Sequence, residues 1–226
     1  MKRLRILGLS LLALFALGAI AANVALAEEG VLPPSNFTIK GGAQKLANLN
    51  NEKIECASVT GTGVPLPESD THSTGTLDFT GCKAFGFEAI SLGDKGGVIL
   101  AEVLYLVCLF GEGTKLDWGV LVAPKELPFH IEVPALKELI LVKGAIIGEL
   151  LTKLAGVLLE GQPKGKEFGV AFLAEDTLTR LKCSLKGLGP WTASYEAALD
   201  TKPDVDAWQI GESDISFEKE VQFMDE

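Results

Sequence analysis

The sequence predicts an all-β fold, an antiparallel β-sandwich or barrel. Two observations carry that expectation: a period-2 alternation of apolar and polar residues, and Gly- and Pro-rich turn signals that recur about every ten residues. A third, an even number of cysteines behind an export-type N-terminus, supplies covalent staples and a compartment.

The alternation is clearest in four stretches. Phe129, Ile131 and Val133 alternate with His130 and Glu132, and Phe168, Val170 and Phe172 with Gly169 and Ala171. Leu181, Cys183 and Leu185 alternate with Arg180, Lys182, Ser184 and Lys186. Towards the C-terminus Ile215, Phe217, Val221 and Phe223 share one parity, with Lys219 the single exception. Such runs read as half-buried strands of antiparallel sheets.

Gly61-Thr62-Gly63, Gly93 to Gly97, Gly111-Glu112-Gly113, Gly161 to Gly165 and Gly187 to Pro190 read as turns between strands. The segment 149–160 admits two readings. Glu149, Thr152, Lys153, Gly156 and Glu160 fall on one side of a helical wheel, which predicts a short amphipathic helix. Gly148 and Gly156 disfavour a helix and leave strand-turn-strand as the other reading. No composition shift marks a boundary, so residues 28–226 read as one domain.

The first 27 residues have the three parts of a signal peptide. Lys2, Arg3 and Arg5 precede an apolar run from Ile6 to Ala22, and Ala25-Leu26-Ala27 offers a cleavage site ahead of Glu28. The expected product is secreted, and no later apolar run is free enough of charge to span a membrane: Leu139 to Leu159 contains Lys143, Glu149 and Lys153. Losing the three basic residues of the leader takes the net charge from −10 to −13. That negative field disfavours nucleic acid and anionic membrane surfaces as partners, leaving a cell-envelope or polysaccharide component open. With 47% hydrophobic residues the chain is far from the composition of disorder.

Cys56, Cys82, Cys108 and Cys183 are not spaced for zinc, and with two histidines in the chain disulfides are the default reading. In a strand over 53–60 Cys56 shares parity with Ile54, while Cys82 follows Leu77 and Phe79 at the end of a neighbouring strand. A hairpin would join them. Cys108 and Cys183 each share parity with apolar neighbours, so both are expected in the core, paired or as buried thiols.

Site signals are weak. His72 follows Ser69, Asp70 and Thr71 in what reads as a polar turn, because adjacent residues cannot assemble a catalytic triad and no nucleophile elbow is present. His130 has the polar parity of its strand. Asp200, Asp204, Asp206 and Glu212 form an acidic stretch that lacks the Gly and closing Glu of a calcium loop. Among Trp118, Trp191, Trp208, Tyr105 and Tyr195, Trp118 has core parity, and Trp208 beside Asp204 and Asp206 is the best candidate for an exposed ligand platform. No catalytic residue, metal site or cofactor is indicated.

The segments KIECASVTGTG, TGTLDFTGCKAFGF, KLDWGVLV, ELILVKGAIIG, SYEAALD and DISFEKEVQF together resemble a family of small secreted β-rich proteins of soil actinobacteria, Solirubrobacter-like, with no assigned activity. Cys56 and Cys82 fall in its two N-terminal Cys segments. The resemblance implies a fold and an export route and no chemistry. In that family the second Cys pair closely flanks the Trp region, whereas Cys183 here lies well after it. The expected function is a non-enzymatic binding or structural role outside the cytoplasm. An extracellular hydrolase using unrecognised carboxylates and a carbohydrate-binding module are the alternatives.

Overall fold

The computed structural model describes residues 30–31, 35–50, 52–67, 72–92, 94, 96–112, 115–152, 163–172, 182–185, 189–192, 195–199 and 206–225. Its centre is a closed antiparallel barrel of eight strands: β1 (Phe37–Asn48), β2 (Ser58–Pro65), β3 (His72–Thr80), β4 (Ile99–Glu112), β5 (Lys115–Pro124), β6 (Ile146–Thr152), β7 (Lys164–Phe172) and β8 (Ala207–Gln222). Each strand pairs with the next in the chain, and β8 returns to pair with β1. Sandwich or barrel is thus resolved as an up-and-down barrel, which closes the edges a sheet would otherwise expose. No described residue is helical: 149–152 belong to β6, where pairing to β5 and β7 overrides the helical wheel, and 153–160 lie outside the described residues.

The alternation read from sequence sorts side chains between lumen and outer wall. Val103, Tyr105, Val107 and Leu109 of β4, Trp118, Val120 and Val122 of β5, and Phe168, Val170 and Phe172 of β7 all enter one buried cluster. Lys219 leaves the parity of β8 for a local reason. The β7 to β8 ladder skips from Glu167 opposite Ser216 to Gly165 opposite Val221, and within the skipped stretch Glu218, Lys219 and Glu220 are exposed while Phe217 stays in the lumen. Val221 and Phe223 thereby return to the lumen.

Gly61 and Gly63 do not form the expected turn. They lie inside β2 at lumen positions, where their missing side chains make room for residues of β1 and β3. The continuous strand expected over 53–60 is also corrected: it bends at Ala57, separating Lys53–Cys56 from β2. His72 is the first residue of β3 rather than part of a turn.

One end of the lumen is filled by rings. Phe37, Phe168, Phe217 and Phe223 pack with Tyr105 and Trp118 at centroid separations from 5.0 Å for Phe168–Phe223 to 6.3 Å for Phe217–Phe223. The opposite end is covered by a four-stranded sheet in the order Tyr195–Leu199, Glu138–Gly144, Phe129–Val133, Ile90–Ser91. Ile131, Val133, Ile140 and Val142 of this cap pack with Ile54, Ile99 and Ala207 in a second cluster. The Ser91 hydroxyl ties cap to barrel by donating to the carbonyl of Leu100 at 3.1 Å and accepting its N–H.

Cys56 and Cys82 are disulfide-bonded and lie within the cap cluster. Cys108, on the outer parity of β4, is also disulfide-bonded and is buried with Leu106, Leu121 and Ile147. The strand Lys182–Leu185, which carries Cys183, runs against β4, but the Cys183 side chain lies outside the described residues. Part of the outer wall of β4, β5 and β6, around Leu106, Cys108, Leu121 and Ile147, is therefore buried as well as the lumen.

Among the described residues no helix is long and apolar enough to cross a membrane. The lumen is apolar, and the outer wall of β1, β2 and β3 carries Thr38, Lys40, Thr60, Thr62 and Asp78. That is the reverse of the alternation of a lipid-embedded barrel.

Candidate functional site

Between the ring-filled end and the cap the lumen is not fully packed. A cavity of about 80 Å³ is walled by Leu46, Leu77, Phe79, Ala101, Val122 and Ile146 of the barrel and roofed by Phe129, Ile131 and Val142 of the cap. A second cavity of about 30 Å³ shares Gln44, Leu77, Phe79, Val122 and Gln209 with the first and extends towards Tyr105. One water needs about 10–15 Å³, so the larger space has room for several heavy atoms. Its lining is too apolar to hold several waters well. Eight-stranded barrels sit at the size where the lumen is either filled by side chains or holds one small ligand.

The cavity's polar side is made by a bulge. Along β1, Phe37 and Ile39 point inward, and a regular strand would put Gln44 outside. Opposite them, β8 passes from Ser213 to Gly211 in two residues while β1 passes from Gly41 to Gln44 in three. The extra residue in β1 flips its parity, so Gln44 and Leu46 enter the lumen. Gly41 and Gly211 permit it: a Cβ on Gly41 would meet the Ser213 hydroxyl, and one on Gly211 would overlap the Gln44 carboxamide.

Gln44 is 4% exposed. Its Nε2 donates to the carbonyl oxygen of Glu212, within the bulge, at 3.1 Å. Its Oε1 accepts from Gln209 Nε2, also at 3.1 Å. The Glu212 carbonyl can only accept, which fixes the orientation of Gln44, and Gln44 Oε1 then fixes that of Gln209. Lys45 also borders the cavity, but it alternates outward from Gln44 and Leu46 and lies opposite Glu55 in the ladder. At the ring-filled end the Tyr105 hydroxyl donates to the carbonyl of Thr76 at 3.3 Å, and burial pushes its pKa up, so it stays a protonated donor.

A different pair of groups meets on the outer wall. Glu149 lies opposite Gly119, two residues along β5 from Asp117 on the same face. Burial, and then the Asp117 carboxylate, push the Glu149 pKa up. Asp117 Oδ1 is buried with no hydrogen-bond partner among the described residues.

The residues singled out in the sequence do not converge. Trp208 is half-buried on the outer wall of β8, Asp206 is exposed just before it, and Asp204 lies outside the described residues. No group of His, Cys, Asp and Glu suited to a metal ion occurs among the described residues. Tyr105 is 1% exposed and so cannot stack on a sugar at the surface, and the side chains of Trp191 and Tyr195 lie outside the described residues. His130 is half-buried in the cap.

Sequence reading missed Gln44 and Gln209. The available signal was Gly41-Gly42 inside an alternating strand, a pattern that marks bulges. No family model, curated protein or solved structure matches the chain.

Proposed function

We propose that the protein is exported and acts as a non-enzymatic binding protein that holds a small apolar molecule inside the barrel, beneath the cap. The observation that carries this reading is the cavity of about 80 Å³, walled by aliphatic and aromatic side chains, at the one end of the lumen that rings do not fill. A barrel whose only task is structural gains by packing that space, because unfilled core volume costs stability. The leader-like N-terminus and the Cys56–Cys82 disulfide support an oxidising compartment. N-terminal sequencing of protein from culture supernatant should begin at Glu28.

Titration of n-pentane, followed by amide chemical shifts, tests the binding reading. Shifts are expected at Leu46, Ala101 and Ile146, and Ala101→Leu, which fills the space, should abolish them without lowering the melting temperature. Saturating n-pentane with no shift at these residues would remove the basis for a ligand in the barrel.

A further inference from the structure

Resting on the reading of the cavity as a ligand site, we infer that the amide pair Gln44–Gln209 selects a neutral ligand that carries one O–H or N–H group on a small apolar body. The Glu212 carbonyl can only accept, and its lone pairs require the Nε2 side of Gln44. Gln44 Oε1 then faces Gln209, which must offer its own Nε2, because two carbonyl oxygens would repel. The chain of orientations ends at Gln209, a half-buried residue that borders both cavities and whose Oε1 accepts no hydrogen bond from a described residue.

An acceptor facing an otherwise apolar space favours a ligand that donates to it. Leaving a donor or an acceptor dry and unpaired costs more than one hydrogen bond gains. Gln44 keeps a second Nε2–H, so a hydroxyl could both donate and accept at this end of the cavity. An anion fits poorly. Among the described residues no cation lies on the lumen parity near the amides, since Lys45 alternates outward and lies opposite Glu55, and a carboxylate buried without a counter-charge bears a large desolvation cost.

The site is built rather than incidental. The buried Gln44 and the half-buried Gln209 are held in an apolar lumen by a bulge, by the absence of a side chain at Gly211, and by the carbonyl of Glu212, the residue that the β1–β8 ladder skips.

The test compares n-pentane, 1-butanol and butyrate, which have similar chain lengths, on the full chain and on the double variant Gln44→Met, Gln209→Met, which keeps the length of both side chains and removes both amide oxygens. On the native chain, 1-butanol should bind and butyrate should bind more weakly than 1-butanol. In the double variant the affinity for 1-butanol relative to n-pentane should fall about tenfold, the effect of one buried hydrogen bond. Retained n-pentane binding shows that the variant's cavity is intact. An unchanged ratio, or butyrate binding more tightly than 1-butanol to the native chain, overturns the selection while leaving the cavity reading standing. Failure of n-pentane to bind the native chain overturns both.

Discussion

The ring of Phe37 occupies the place that a Cβ on Gly63 would take. The two residues are cross-strand partners, Phe37 on β1 and Gly63 on β2, and the bare glycine lets the ring lie against the wall of the lumen. From there Phe37 meets Tyr105 edge-on at 5.2 Å and Phe217 at 5.3 Å, so a single missing methyl group sets the packing at this end of the barrel.

Gly63→Ala is therefore expected to destabilise the protein by about 1–3 kcal/mol through overpacking, read as a lower urea midpoint. The same substitution beside Phe37→Leu should cost less, with a coupling between the two sites of about 0.5–3 kcal/mol. A Gly63→Ala protein as stable as the native one would contradict the packing described.

The Gly63 case shows where sequence reading stops. A glycine between Thr62 and Val64 reads as a turn because its use depends on a ring from another strand. The strands over 129–133 and 168–172 were legible, since each carries its own alternation. Closure was not: β1 and β8 pair residues such as Gln44 and Gly211, far apart in the chain, and no local period records that. The candidate site failed for a related reason, because Gln44 reaches the lumen only through a parity switch at the bulge. The residues that seemed chemically promising, Trp208 and Asp206, lie on the outer side and rim of the barrel, where composition alone cannot supply a pocket.

The Cys56–Cys82 bond joins residues 26 apart and ties the strand Lys53–Cys56 to the segment leaving β3. On the loop-entropy account its removal should cost about 3–4 kcal/mol. The double variant Cys56→Ser, Cys82→Ser is expected to unfold at lower denaturant with a steeper effect than either a surface substitution or Gly63→Ala. Because Cys56 also borders the cavity, n-pentane binding should weaken in the same variant.

Phe223 follows the last residue of β8 and is fully buried, with its ring 5.0 Å from Phe168 and 5.4 Å from Trp118. Phe223→Ala should lose about 3–5 kcal/mol, because the ring-filled end cannot collapse onto the vacated space without distorting a closed wall. Calorimetric melting measures this directly. A loss below about 1 kcal/mol would mean that the end of the barrel is far more pliable than its ring contacts imply.

Glu149 gives a pH dependence whose sign is fixed by its surroundings. Burial on the outer wall and, secondarily, the neighbouring Asp117 carboxylate raise its pKa in the folded protein. The folded state then binds the Glu149 proton more tightly than the unfolded chain does, and stability falls with rising pH wherever the folded state holds more protons. The favourable contribution is complete below the ordinary glutamate range and is lost as pH rises through the raised value. Above the raised value the native protein holds an ionised Glu149 beside Asp117 in a partly dry setting, which is unfavourable. Glu149→Gln removes that charge and keeps the side chain's shape, so it should raise the melting temperature there. The gain should shrink as the pH falls towards the ordinary glutamate range, where both proteins carry a neutral group at this position. Asp117→Asn should act in the same direction but more weakly, because it removes only the lesser of the two causes. Melting curves of the three proteins across this range check the assignment, and a Glu149→Gln advantage that grows on acidification would reverse the sign and refute it.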